Sequence, residues 1–415
     1  MRIFKGLQRF VDSRAGGIAM LTALSMPFLI GGTGLASDTI QWTYIKRAMQ
    51  RQADSGALAG AFALAQQRAV SSTVTADLAR NNNVAQTVAP IIENAPTAGA
   101  FQGNARAVRV VLATDVSMPF VSIVMGGPIR ISAEATSQVV AQGQYCVISL
   151  ETTDRTGISM GGSTSVNLGC GMMTNSPAAD AITAGGSSTV NATPIAAVGG
   201  LPTSNNYATG TQLIPYSVPQ FDPLIGLPNP LITNSSSNAN VGPNQSRTLS
   251  PGVYSGMDLK GTVTLNPGVY YIDGGVFSVG AQGVVTGDGV TIILSSRTAA
   301  SNPASIATVS MNGGATVKLT APATGTYAGV IFYQDRRALD SSTNTINGNS
   351  SSKYQGTLYF PNQEVYFTGN SSMNANCLQI VARRASFSGS STISNVCPPN
   401  SGASSFSGTR VKLVA

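Results

Sequence analysis

Histidine is absent from all 415 residues, and this removes a large part of enzyme chemistry. Ser-His-Asp and Cys-His catalysis, His-ligated zinc and imidazole proton shuttling all need a ring that the chain does not have. Charge is scarce too, at 10% of residues. The net charge of +7 reflects few acids (17) rather than many bases (24). No block of five basic residues exists, so a nucleic-acid partner has little support. No residue set points to a cofactor or a metal. In place of charge stand 45 Gly, 21 Pro and long Ser/Asn/Thr tracts. That composition suits a secreted, turn-rich β scaffold, and the length suits two or three domains.

Cysteine is sparse but even in number: Cys146, Cys170, Cys377 and Cys397. All four follow the apolar N-terminal segment. An even count outside the cytosol favours two disulfides, and sequence proximity suggests Cys146–Cys170 and Cys377–Cys397 among three connectivities. Buried free thiols are the alternative.

The chain is organised around the stretch from Arg14 to Gln67. Ala15 to Ser37 is a run of 23 residues without a charge, and as a helix it covers roughly 34 Å, enough to cross a bilayer core. Beyond it, Ala53, Gly56, Ala57, Gly60, Ala61 and Leu64 recur at i, i+3, i+4 spacing and form one small-residue face. Lys46, Arg47, Arg51 and Asp54 flank that face. Gly56-x-x-x-Gly60 has the spacing that lets another backbone approach closely. The expected occupant is either a partner helix or the chain's own strands at 107–141. Asp38 marks the exit from the lipid, where interfacial solvation or pairing with a neighbouring subunit would serve it.

The order of these features resembles the N-terminal signature of the Tad/Flp pilus-assembly proteins, and the TadG-like branch most of all. The residues that carry the resemblance are Arg14, Gly16, Gly17, Asp38, Tyr44, Gln50, Ala53, Asp54, Ala57, Leu58, Ala59, Gly60 and Ala61, within the first 65 or so residues. The resemblance implies an inner-membrane anchor and other pilus-assembly proteins as partners. The expected interaction face, read from the helical spacing, is Asp38, Gln50, Ala53, Asp54, Gly56, Ala57, Gly60 and Ala61. Related minor pilins carry Glu five residues after a cleaved Gly; here that position is Thr22 or Leu21, which fits the uncleaved TadG-like anchors.

Five segments follow. Residues 1–14 are a basic cytoplasmic leader with Arg2, Lys5, Arg9 and Arg14 against Asp12, so the positive-inside rule puts the N-terminus in the cytoplasm. Residues 15–37 are a single transmembrane pass and 38–70 a pilin-like helical extension. A cleaved signal peptide ending near Gly34-Leu35-Ala36 is the alternative, but the apolar run exceeds an ordinary h-region. Residues 71–144 form a small α/β stub with strands at Ala107–Leu112 and Ile129–Ala141 around an apolar loop. Residues 145–415 form a periplasmic domain of very short strands broken by Gly, Asn and Ser, with a long loop at about 203–248. Pro251-Gly252-Val253-Tyr254 recurs as Pro267-Gly268-Val269-Tyr270. The expected fold is mainly β, with a parallel β-helix (solenoid) after the anchor and stub, and an antiparallel β-sandwich as the competitor.

Several motifs imitate active sites. Gly157-Ile158-Ser159-Met160-Gly161 matches the nucleophile elbow, which is idle without histidine and reads as a turn. Ser350-Ser351-Ser352-Lys353 matches a Ser-Lys pair but has loop composition. Asp115-Val116-Ser117-Met118-Pro119 half-matches a metal site of von Willebrand A domains and reads as a linker loop. Asp335-Arg336-Arg337 with Asp340 reads as a solvated ion-pair patch. The expectation is therefore a membrane-anchored, non-catalytic component of Tad/Flp pilus assembly. A glycan-binding adhesin would instead expose aromatics such as Tyr254, Tyr270 and Tyr271. A carbohydrate-active enzyme would gather carboxylates in a groove.

Overall fold

The computed structural model describes residues 16–368, 372–389, 392–395 and 406–415. The leader at 1–14 and Cys397 lie outside the described residues. The chain is mainly β with one long apolar N-terminal helix, and it divides into two units.

The first unit runs to Val140 and includes Val411–Ala415. Helix α1, Gly16–Ala65, is 50 residues long and contains Pro27. Proline removes one ladder donor, and the helix continues through it. Among the described residues this is the helix long and apolar enough to cross a membrane. Its polar half carries the small-residue face, and that face is covered by the unit's own residues. Helix α2, Val70–Arg80, lays Val74 and Leu78 against it, and Ala53, Ala57 and Ala61 are fully buried. Side-chain bonds fix the pair: Gln52 Nε2 donates to the Asn81 carbonyl at 2.6 Å, and Ser55 Oγ to Asp77 Oδ2 at 2.8 Å. Gly60 is needed here, because a Cβ would sit 2.7 Å from Val108 Cγ1 and 2.8 Å from Val74 Cγ2.

Three antiparallel strands follow, β1 (Ile91–Asn94), β2 (Ala107–Val116) and β3 (Ile129–Ser149), and the C-terminal Val414 and Ala415 donate to the Thr136 carbonyl of β3. In β2, Val108, Val110 and Leu112 alternate inward and join Met49, Ala53, Ala57, Ile131, Ala133 and Ala135 in one core. The segment between β2 and β3, expected as a loop, contains a short helix, α3 (Val121–Met125), which Gly126 ends at φ 76°. Asp115 lies in β2 rather than in a linker loop, and both its oxygens accept from Arg130, at 2.9 and 3.0 Å.

The second unit, Ala141–Arg410, is held by parallel pairing. Strand Ile158–Met160 pairs with Ile182–Ala184, Ser165–Asn167 with Thr189–Asn191, and Gly171–Thr174 with Ile195–Ala197. Each strand thus meets the third strand after it. Identical or similar side chains stack between paired strands, as where Asn191 Nδ2 donates to Asn167 Oδ1 at 3.1 Å. Farther along, Ser246–Leu249, Thr262–Leu265, Val284–Gly287, Thr316–Thr320 and Lys353–Phe367 pair in succession. Their inward residues, Leu249, Val263, Leu265, Val285, Val317 and Leu319, enter one apolar core.

Two long strands, Gly252–Leu259 and Lys353–Phe367, each take part in more than one ladder. Through them eight parallel strands form a closed ring of pairings. One side runs through Gly268–Asp273, Val290–Ser295 and Val330–Gln334, the other through Val276–Val279, Thr308–Met311 and Thr343–Thr345.

The repeated Pro-Gly-Val-Tyr has a structural meaning. Tyr254 Oη donates to the Ser250 carbonyl at 2.6 Å, and Tyr270 Oη lies 2.8 Å from the Asn266 and Leu249 carbonyls. The two rings stack at 6.1 Å. Both tyrosines are buried, so they do not form the exposed aromatic stripe that an adhesin would show.

The order of strands in space differs from the order in sequence. Strand Ser372–Phe387 pairs on one side with Lys353–Phe367 and on the other with the end of β3, at Ile380↔Val147. The strands nearest the stub, which lead on to Ile195–Ala197, therefore continue the ladder beyond the C-terminal strands. From Ile195 to Ser237 the chain must bridge nine strand spacings, roughly 43 Å. The expected loop at 203–248 makes this journey. It is not all loop, since it includes strands Leu213–Ile214, Ser237–Val241 and the start of Ser246–Leu249.

Candidate functional site

Three features of the structure can carry function: the anchor face, a cluster of arginines and carboxylates, and a groove that carries two lysines.

On the anchor, Asp38 is not a solvated interfacial carboxylate. It is 1% exposed, and its Oδ2 accepts backbone N–H bonds from Phe120 and Val121 at 2.8 and 2.6 Å. These are the first donors of α3, which have no partner inside that helix. Oδ1 is buried without a hydrogen bond among the described residues. Gly34, one turn earlier, lies against the Phe120 ring, where a Cβ would come within 2.4 Å. Of the expected interaction face, Ala53, Gly56, Ala57, Gly60 and Ala61 point into the unit's own core. The intramolecular alternative is the one observed, because two valines and a leucine fill the space that a partner helix would need. Gln50 Nε2 donates to Asp54 Oδ1 at 2.9 Å and to the Glu134 carbonyl at 2.8 Å.

The charged cluster was not legible as a unit in the sequence. Arg384, buried in strand Ser372–Phe387, donates to Glu151 Oε2 at 2.6 Å and to Asp340 Oδ1 and Oδ2 at 2.5 and 3.0 Å. Glu364 Oε2 is 3.5 Å away. Arg383 adds a second guanidinium at 3.0 Å from Glu151, and Arg155 a third at 3.4 Å from Asp340. Three carboxylates thus converge, as a carbohydrate-active enzyme would require. The electrostatics of Glu151 run the other way. Burial alone would raise the Glu151 pKa. Hydrogen bonds from Arg383, the Thr153 N–H, Arg384 and the Thr153 hydroxyl outweigh it and hold the carboxyl at about 2. A general acid needs a pKa near the working pH, so Glu151 cannot donate a proton at neutral pH. The cluster can hold chain segments together.

Asp335 belongs to a similar lock rather than to a solvated patch. It is fully buried and accepts from Ser295 Oγ at 2.6 Å and from Arg337 Nε at 2.9 Å. Burial works to raise its pKa, and these partners lower it below the usual carboxylate value. The neighbouring arginines pin the long return segment: Arg336 donates to the Leu227 carbonyl at 2.7 Å and also to that of Leu224, and Arg337 to that of Pro230 at 3.1 Å. Tyr359 Oη donates to Asp222 at 2.5 Å and Tyr333 Oη to the Pro228 carbonyl at 3.3 Å. The signal that could have revealed the first lock is the Arg383-Arg384 pair directly after the apolar run Ile380-Val381-Ala382 of a strand, which demands acids nearby.

Gly157–Gly161 is not a turn. Its centre, Ile158–Met160, is a strand, and Ser159 Oγ lies 2.9 Å from Ser386 Oγ. Ser352 is buried, and Lys353 begins a strand with an exposed side chain. Cys146 and Cys170 form a disulfide, as proximity suggested. Cys377 is also disulfide-bonded; its expected partner, Cys397, lies outside the described residues. A groove of about 510 Å³ opens on the outer face of the ladder, lined by Thr264, Thr286, Asp288, Lys318, Lys353 and Gln355. Lys318 and Lys353 stand opposite each other in register.

No protein-family model, no curated protein and no solved structure matches the chain.

Proposed function

We propose that this chain is a membrane-anchored, non-catalytic structural component of Tad/Flp-type pilus assembly in the bacterial envelope. The observation that carries the reading is α1: an exposed apolar half long enough to cross a bilayer, then a small-residue half that seats a folded domain. In this account α1 crosses the inner membrane once with the N-terminus in the cytoplasm, and the two folded units that follow stand on the periplasmic side. The second unit reads as a β-solenoid. The third-neighbour parallel pairing supports this, and so does the ring of eight strands, which closes because two long strands turn a corner between faces. Arginine locks on Glu151, Asp340 and Asp335 suit a rigid body that bears load better than a site that cycles protons.

A second reading, a glycan-binding surface, draws support from the groove at Lys318 and Lys353, two cations in register that would suit an acidic saccharide. The buried Tyr254 and Tyr270 argue against it.

Deleting the gene from its bacterium and counting surface pili by electron microscopy tests the proposal. Loss of pili that the intact gene restores is the expected result. Normal piliation of the deletion strain would overturn it.

A further inference from the structure

The contacts along α1 run in order. Gly60 faces Val108, Gln50 reaches the Glu134 carbonyl, Lys46 reaches that of Ser132, Asp38 caps Phe120 and Val121, and Gly34 touches the Phe120 ring. The β2–β3 connection is therefore the tip of the first unit that lies nearest the apolar half of the helix. This tip is itself apolar and uncovered. Ile123, Val124 and Met125 are 79%, 81% and 72% exposed, although α3 is only five residues long. On the α1 turns around Gly34 and Asp38, Leu35 and Ile40 are also exposed. One turn farther out come Trp42 and Tyr44, both exposed, followed by Lys46 and Arg47. An aromatic pair followed by cations is the usual residue order where a helix leaves the hydrocarbon for the headgroups.

We infer that residues 117–126 form a foot that inserts into the interfacial layer of the same leaflet through which α1 exits. The inference rests on the anchored reading of α1. Its occupant is lipid, because the exposed apolar surface of α3 is continuous, through Phe120, with the surface that α1 presents to the bilayer. The foot also gives the burial of Asp38 a reason. A carboxylate four residues past Gly34 would otherwise face acyl chains, and the foot covers it while its own N–H groups satisfy one oxygen. Two points of contact, helix and foot, fix the depth and tilt of the first unit where a single helix would leave it free to swivel.

The test uses the full-length protein in vesicles of phosphatidylethanolamine and phosphatidylglycerol carrying brominated lipids. Trp42 is the only tryptophan, so Trp42→Phe gives a silent background. In it, Val124→Trp places an indole on the foot and Ile30→Trp places one at mid-span. Both sites are exposed, so neither change disturbs packing. The expected result is quenching at position 124 by lipids brominated near the headgroup, several-fold stronger than by aqueous iodide, together with quenching at position 30 by deeply placed bromines. Quenching at position 30 with iodide-dominated quenching at position 124 would overturn the foot and leave the anchor standing. No bromolipid quenching at either position would overturn both.

Discussion

Arg384→Met removes the guanidinium on which Glu151, Asp340 and Glu364 converge, and replaces it with an uncharged chain of similar length. Arg384 is buried, and Glu151 is fully covered. Breaking a buried pair by removing one partner costs about 3–5 kcal/mol, because the other charge stays behind unpaired. Arg383 remains 3.0 Å from Glu151, which places the expected loss near the lower end, about 3 kcal/mol. Arg155→Met is the internal comparison. That arginine belongs to the same cluster, but its side chain is 60% exposed and 3.4 Å from Asp340, so its loss costs well under ~1 kcal/mol. Arg384→Lys keeps the charge without the two-pronged geometry and falls between the two. Urea unfolding of the detergent-solubilised protein, followed by its strand signal in circular dichroism, reads all three midpoints. Acid adds a second readout. The Glu151 pKa is depressed from 4.5 to about 2, so its contribution is complete above about pH 4.5 and is lost as pH falls towards 2. For a covered group this amounts to roughly 3 kcal/mol. Arg384→Met should flatten that acid slope. Equal midpoints for Arg384→Met and wild type, with an unchanged acid profile, would refute the reasoning.

Other substitutions test other parts of the structure. Gly60→Leu forces a side chain into Val108 and Val74, and overpacking of about 1–3 kcal/mol should outweigh the ~1 kcal/mol of helix propensity gained over Gly, lowering the melting temperature. Asp38→Ala removes an acceptor shared by two N–H groups and should cost about 1–2 kcal/mol, read as faster amide exchange at Phe120 and Val121 while the Gly60 region stays protected. Replacing both Cys146 and Cys170 by Ala opens a loop of sequence separation 24 and should cost about 3 kcal/mol in the urea midpoint under oxidising conditions.

Local features were legible in the sequence, and long-range ones were not. The uncharged run after Arg14 and the Ala/Gly periodicity through Gly60 announced α1 because helical spacing is a short-range pattern. The same pattern could not say what covers the face, since Val108 lies dozens of residues away and supplies no signal of its own. Short strands and Gly turns announced a β scaffold, and neighbouring cysteines announced Cys146–Cys170. The spatial jump by which Ile380 pairs with Val147 leaves no trace in local composition, nor does the strap that must then return past Arg336 and Arg337. Charged runs such as Asp335-Arg336-Arg337 look solvated because most are. Here the pairing is internal, so Asp335 is buried. Tyr254 and Tyr270 misled in the same way: a repeated tyrosine can mark a binding stripe or a corner bond, and only the carbonyls of Ser250 and Asn266 decide between them.

The proposed work of the chain in pilus assembly depends on its being anchored. The most direct measurement complements a deletion strain either with the intact chain or with one whose residues 1–37 are replaced by a cleavable signal sequence, and counts surface pili in each. The account predicts pili with the intact chain and none with the secreted form, although the secreted form accumulates in the periplasm. Full piliation by the secreted form would contradict it.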